Sequence, residues 1–292
     1  MKKIFTSNIL KIIAFISMFL DHTGKILEIF YVNNTTISTI SYIFSIIGRI
    51  TFPIIIFLLI EGFIHTSSLK KYFLRLGTMA IIIGLSEIII STSINIRGAS
   101  LLFDFGNIFI DLILSLLFLY LINDKSITKK LLSLVVIAYF VVSLLLQNET
   151  IYLSSNLKNI FSGFMPQYSF MTPIILIIYI GIFKTIKHFK FDNFSENEIS
   201  SFDSNAFLLE IRKYSFILSI IIFSLLSYIF TYVDVDLNMN FSLGTYFFLA
   251  TPLIYLYNGK EGKKSPLIKT AYYLFYPLHI SLIYLIVFLI NL

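Results

Sequence analysis

Nine predominantly apolar stretches, each close to the roughly 20 residues that a helix needs to cross a bilayer core, fill most of this chain: 8–31, 38–63, 73–93, 101–122, 130–147, 167–187, 213–232, 241–257 and 270–291. Lipid offers no partner for peptide N–H and C=O groups, so such stretches must form helices whose hydrogen bonds close internally. The pattern predicts an all-α, polytopic transmembrane helix bundle of about nine spans, organised as one domain over 1–292. Residues 188–212 stand apart. They mix Asp192, Glu196, Glu198, Asp203 and Glu210 with Ser and Asn, and read as a flexible cytoplasmic loop with some helix near Ala206 to Ile211. Composition agrees with a membrane protein: 57% of residues are hydrophobic and only 13% charged, against roughly 45–50% apolar in a soluble domain.

Charge orients the bundle. With the amino terminus inside, only Lys25, Arg49, Arg97 and Lys158 of the 22 Lys and Arg residues fall on the opposite side or within spans. That bias follows the positive-inside rule and places the carboxyl terminus outside. The net charge of +6 is thereby explained by topology and contact with anionic lipid, without a nucleic-acid partner. Met1-Lys2-Lys3 followed by an apolar run has the look of a secretory signal, but no small-residue cleavage site follows and the apolar pattern resumes after Gly24, so a retained first helix is expected. The chain has no Cys, which excludes a cysteine nucleophile, thiolate metal sites and disulfides. Abundant Ile, Lys, Asn and Phe point to an AT-rich bacterial genome, hence a multi-pass protein of the bacterial cytoplasmic membrane.

Ionisable groups within the spans carry the functional signal. Each costs roughly 2.5–3.5 kcal/mol on insertion scales, and such groups face a bundle interior or wet cavity where they perform a task. Asp21-His22 lie in the first span, Arg49 between Gly48 and Pro53 in the second, and Glu61 and His65 at that span's cytoplasmic end. Glu87 lies in the third span. Asp104, Asn107, Asp111 and Ser115 form one helical stripe in the fourth. Tyr272, Tyr276 and His279 share a face of the last span, with Pro277 among them. His22 and His279 both come out near mid-depth on the first and last spans, which a closed bundle could bring together.

Structural readings compete at several of these positions. Asp21 and Lys25 at i, i+4 could neutralise each other, as could Glu61 and His65. Asp21 and His22 are consecutive and diverge on a helix, so they do not form a catalytic dyad. No serine-hydrolase elbow, dinucleotide fingerprint or zinc motif occurs. Gly259 to Ser265 fails the spacing of a phosphate loop, and no ligand spacing points to a metal.

Taken in order, Leu20-Asp21-His22, Gly48-Arg49-Ile50-Thr51-Phe52-Pro53, Glu61-Gly62-Phe63-Ile64-His65-Thr66, Lys71-Tyr72-Phe73-Leu74-Arg75, Ser86-Glu87-Ile88, Gly106-Asn107-Ile108-Phe109, Tyr257-Asn258-Gly259-Lys260 and Leu274-Phe275-Tyr276-Pro277-Leu278-His279 resemble the TraX family of membrane acetyltransferases. The blocks cover nearly the whole chain. After Glu87, Ile89-Ile90-Ser91 replaces the Pro-Phe-Asp of the family pattern. The resemblance implies acetylation of a pilin amino terminus in conjugative systems and, more broadly, acyl transfer from cytoplasmic acetyl-CoA.

Acetyl transfer from a thioester needs a base for the acceptor's proton, donors for the oxyanion and cations for the phosphates of CoA. On that basis His22 is the expected base, with His279 as second choice and Asp21 beside it. Arg49 or Tyr276 would stabilise charge at the thioester carbonyl, and Asn107 or Glu87 would orient the base. Glu61 and His65 are further substrate-contacting or orienting candidates. Lys70, Lys71, Arg75, Asn258 and Lys260 are expected to hold acetyl-CoA, with no metal, and the acceptor is a pilin-like peptide amine or a hydroxyl of a surface glycan. The alternative class is a proton-coupled small-molecule transporter that uses the same intramembrane His, Asp, Glu and Arg groups.

Overall fold

The computed structural model describes residues 3–31, 33–93, 106–148, 150, 157, 161, 163–191, 204–233, 242–263 and 265, with 270, 272, 274, 275, 278, 279, 282 and 285 near the carboxyl terminus. Among the described residues the regular elements are all helical: α1 (Ser7–Phe30), α2 (Thr35–Gly48), α3 (Thr51–His65), α4 (Leu69–Ser93), α5 (Ile108–Ile122), α6 (Ile127–Gln147), α7 (Met171–Phe191), α8 (Ser204–Tyr232), a 3₁₀ segment Gly244–Ala250, and α9 (Thr251–Tyr255). The described residues between 270 and 285 are helical as well. Among the described residues four helical stretches are long and apolar enough to cross a membrane: Thr35–His65, Ile127–Gln147, Met171–Phe189 and Asn205–Tyr232. α5 is a shorter apolar helix.

Contacts divide the chain into two compact units. The first contains Met1–Ser17, Arg49–Phe57 and Ile174–Lys264; the second contains Met18–Gly48, Leu58–Pro173 and Ser265–Leu292.

In the first unit α8 packs against the 3₁₀ segment and α9. Phe223 and Phe52 both close on Phe247, with ring centroids 5.6 and 5.5 Å apart, and Phe57 meets Phe216 at 5.4 Å and Tyr257 edge-on at 5.5 Å. Gly244 allows this approach, since a Cβ there would lie 2.9 Å from the Phe223 ring. The start of α1 is tied to the segment after α9. The Ser7 and Asn8 amides, which an α-helix leaves without internal partners, donate to the carbonyls of Lys260 and Glu261 at 2.9 and 3.1 Å.

In the second unit α4 packs on α5, and α5 on α6. Asn107 caps α5 by accepting from the Phe109 amide at 3.0 Å. Its Nδ2 donates to the carbonyls of Ala80 at 2.8 Å and Gly163 at 3.0 Å, binding α4 and the segment before α7 to the same point. Gly106, at φ +80, makes the turn into this cap; a Cβ there would strike the Met165 carbonyl at 2.8 Å.

Several expected boundaries change. The second span, 38–63, is two helices that meet at Arg49-Ile50. Pro53 explains the break: its ring excludes the carbonyl four residues back, that of Arg49, and it has no N–H to donate. The fourth span, 101–122, is described as a helix only from Ile108, so Asn107 is a cap rather than part of a helical stripe, and Asp104 lies outside the described residues. The eighth span, 241–257, is a 3₁₀ segment followed by a five-residue α-helix; Pro252 withholds the amide that a continuous α-helix would need. The stretch read as a loop, 188–212, begins as helix, because α7 runs to Phe191, and the helix expected near Ala206 to Ile211 is the start of α8, which begins at Ser204. Arg212, expected at the end of the cytoplasmic loop, and Lys213, the first residue of the seventh span, are buried.

Candidate active site

In the second unit α1 carries Asp21 and His22, both buried. Asp21 accepts a hydrogen bond from Lys25 at 2.8 Å, one turn further along the helix. The pairing lets a carboxylate sit inside the unit beside its own counter-ion. Gly48, the last residue of α2, lies directly against it: a Cβ there would come within 2.4 Å of the Asp21 Cβ. Gly24 makes a second close approach, to Ser41 and Phe44, at 3.1 Å. These two glycines let α1 and α2 approach closely beside Asp21 and His22.

His22 meets His279. Its Nδ1 lies 2.7 Å from Nε2 of His279, and Nδ1 of His279 lies 2.7 Å from the Phe275 carbonyl oxygen, one helical turn back. The imidazole planes differ by only 10° and their centroids are 5.0 Å apart. Rings stacked face to face keep van der Waals separation and cannot bring ring atoms within 2.7 Å, so this is an edge-to-edge hydrogen bond in a nearly common plane. The Phe275 ring covers one face of His279, with centroids 4.6 Å apart. His22 is 8% exposed and His279 4%, so the pair sits where a hydrogen bond is stronger than in water and an unpaired polar group is costly.

The other sequence-derived candidates fall as follows. Glu61 is buried on α3 and lies 3.6 Å from His65, whose side chain is 64% exposed. Glu87 lies on α4 with its side chain outside the described residues, as is Tyr276. Lys70, Lys71 and Arg75 are exposed on the first turns of α4, and the Arg75 guanidinium stands over the Tyr72 ring at 5.5 Å. Asn107 spends its side-chain groups on the cap and the two carbonyls described above. In the first unit Arg49 is 1% exposed. Asn258 accepts from the Lys260 amide at 2.9 Å, closing a local turn, and Lys260 is exposed.

Two further buried groups tie remote segments together. Asp111, placed on the polar stripe of the fourth span, accepts from the amides of Gln167 at 2.6 Å and Tyr168 at 3.2 Å and from the Thr172 hydroxyl at 2.8 Å, thereby fastening the start of α7 to α5. Lys213 is 1% exposed and donates to the carbonyls of Tyr255 and Tyr257 at 3.2 Å and to Glu210 at 2.8 Å. Glu210 also accepts from Lys3. The i, i+3 spacing of Glu210 and Lys213 was visible in the sequence; the remote carbonyls were not. Among the described residues no three His, Asp or Glu side chains gather as a metal would require.

The family model for TraX proteins matches residues 6–180. His22, Arg49, Glu61, His65, Glu87 and Asn107 fall inside the matched stretch, and the blocks at 257–260 and 274–279 lie beyond it. No curated protein matches, and no solved structure does.

Proposed function

The chain belongs to the TraX family, and from that premise we propose that it is an integral-membrane acetyltransferase of the bacterial cytoplasmic membrane, moving an acetyl group from cytoplasmic acetyl-CoA to an amine or hydroxyl acceptor. The observation that supports this reading best is His22, a buried imidazole hydrogen-bonded to a second buried imidazole. Imidazole exchanges protons near neutral pH, and a positioned base contributes about 10²–10⁴ in rate.

In the proposed reaction the acceptor nitrogen or oxygen attacks the thioester carbonyl carbon while His22 removes its proton. The new C–N or C–O bond forms, the C–S bond breaks, and the departing CoA sulfur takes the proton from His22. Lys70, Lys71 and Arg75 are the exposed cations of the same unit that we assign to the donor's phosphates, where charge-assisted contacts are strongest. A pilin-like amino terminus is the acceptor that the family suggests, with a surface glycan hydroxyl as the second class.

The test is acetyl transfer from radiolabelled acetyl-CoA by the purified protein in lipid nanodiscs, offered peptides with free amino termini and, separately, hexoses. His22→Ala should lower the rate by about 10²–10⁴-fold. An undiminished rate would remove His22 from the mechanism. Proton-coupled flux in liposomes without CoA, together with no acetyl transfer, would replace the enzyme by the transporter reading.

A further inference from the structure

The hydrogen-bond chain ending at His22 assigns different tasks to the two histidines. We propose that His279 is a positioning residue that acts through His22, holding it in the neutral tautomer whose proton is on Nδ1 and whose Nε2 carries the lone pair. The proposal rests on His22 being the base and adds what makes it one.

A carbonyl oxygen only accepts hydrogen bonds. The 2.7 Å contact between His279 Nδ1 and the Phe275 carbonyl therefore puts a proton on that nitrogen. A neutral imidazole carries one ring proton, so Nε2 of His279 is an acceptor. Nδ1 of His22 lies 2.7 Å from it, a separation that needs one hydrogen between the nitrogens, and His22 must supply it. The only ring proton of neutral His22 is thereby committed to Nδ1, and Nε2 is left basic. Free imidazole side chains favour the opposite tautomer, so the preference has to come from the partner, as the hydrogen bond at one nitrogen generally decides the state of the other.

A backbone carbonyl anchors the series, and it neither titrates nor rotates. When His22 takes a proton at Nε2, its bond to His279 becomes charge-assisted and therefore stronger. A carboxylate in the place of His279 would do the same while adding a buried charge to be compensated; the uncharged imidazole sets the tautomer without one. The neighbouring acid, Asp21, is already engaged by Lys25.

Two measurements test this separately from acetyl transfer itself. Nitrogen NMR of ¹⁵N-histidine-labelled full-length protein in nanodiscs, with His22 assigned by its loss in His22→Gln, should show two side chains protonated on Nδ1 and bare on Nε2. A His22 signal protonated on Nε2 overturns the proposal, whether or not the protein transfers acetyl groups. His279→Gln places an amide oxygen where Nε2 stood, whereas His279→Phe fills the space with no acceptor. The Gln variant should keep His22 in its tautomer and its kcat within about tenfold of native, while the Phe variant loses about 10²–10⁴-fold with KM for acetyl-CoA unchanged. Equal losses in the two variants, with the His22 tautomer preserved in both, would also overturn it. Disrupted folding of a variant would show in its helical circular dichroism, and the native spectrum decides alone in that case.

Discussion

Gly48→Ala isolates the contact that sets the position of His22. The added Cβ would lie 2.4 Å from the Asp21 Cβ, 2.8 Å from its Cγ and 3.1 Å from its Oδ1, whereas carbon atoms rest at about 3.5–4.0 Å. Side-chain rotation cannot relieve the first clash, because a Cβ moves only with its backbone. α1 and α2 must therefore separate by about 1 Å at this point to reach contact distance, or their helices must deform. Overpacking of this kind costs about 1–3 kcal/mol. Alanine also gains about 0.5–1 kcal/mol over glycine within a helix, which offsets part of the loss.

Gly77→Ala supplies the control. Gly77 also lies in a helix, α4, and a Cβ there meets nothing within 4 Å. It should gain the helix-propensity term alone, so the two variants should differ by the overpacking cost, about 1–3 kcal/mol. Unfolding in mixed micelles of rising SDS fraction, followed by far-ultraviolet circular dichroism, reads that difference directly. Since His22 adjoins Asp21, the same displacement should lower acetyl transfer in Gly48→Ala by about 10²-fold, the scale expected for a misplacement of about 1 Å. A Gly48→Ala protein as stable and as active as Gly77→Ala would refute the close approach of the two helices and the argument built on it.

Two further substitutions probe the rest of the second unit. Asp111→Ala removes the acceptor of the Gln167 and Tyr168 amides and the Thr172 hydroxyl; at about 1–3 kcal/mol for each of the two buried donors, Tyr168 and Thr172, left without a partner, the SDS-unfolding free energy should fall by about 2–6 kcal/mol, and a loss below about 1 kcal/mol would contradict the assigned bonding. Hydrogen bonds from Lys129, at 2.6 Å, and from the Ser126 amide hold the Asp124 carboxyl below its ordinary range, so its contribution to stability is present above the usual carboxylate pKa and fades as pH falls through the depressed value; Asp124→Asn should unfold earlier than native at neutral pH and together with it in acid, as unfolding midpoints across pH would record.

The class of fold was readable because hydropathy is local. Apolar runs of bilayer length admit little besides helices, and the helical elements follow them. Hydropathy is nearly blind to where a helix breaks, however, since window averages do not register which amide lacks a carbonyl. Pro53 and Pro252 were the signals for the two missed breaks. Burial of Lys213 is not legible in the sequence for another reason: the carbonyls of Tyr255 and Tyr257 that receive it lie more than forty residues away and carry no side-chain signature. The meeting of His22 and His279 was anticipated from their similar depth on the first and last spans, while the Phe275 carbonyl that completes the series follows only from helix geometry.

The kind of partner sets His22 apart from three other buried polar groups among the described residues. Asn107 is held by backbone carbonyls, Lys213 by two carbonyls and the Glu210 carboxylate, and Asp111 by two amides and a hydroxyl. Those partners do not change protonation near neutral pH, so substituting any of the three should act first on stability. His22 instead has a partner that can itself gain or lose a proton. Satisfying a buried imidazole with a second imidazole keeps the pair paired in either protonation state, because the central hydrogen bond survives the arrival of one more proton. A scaffold built only for rigidity gains nothing from that property; a site that must accept a proton and return it depends on it.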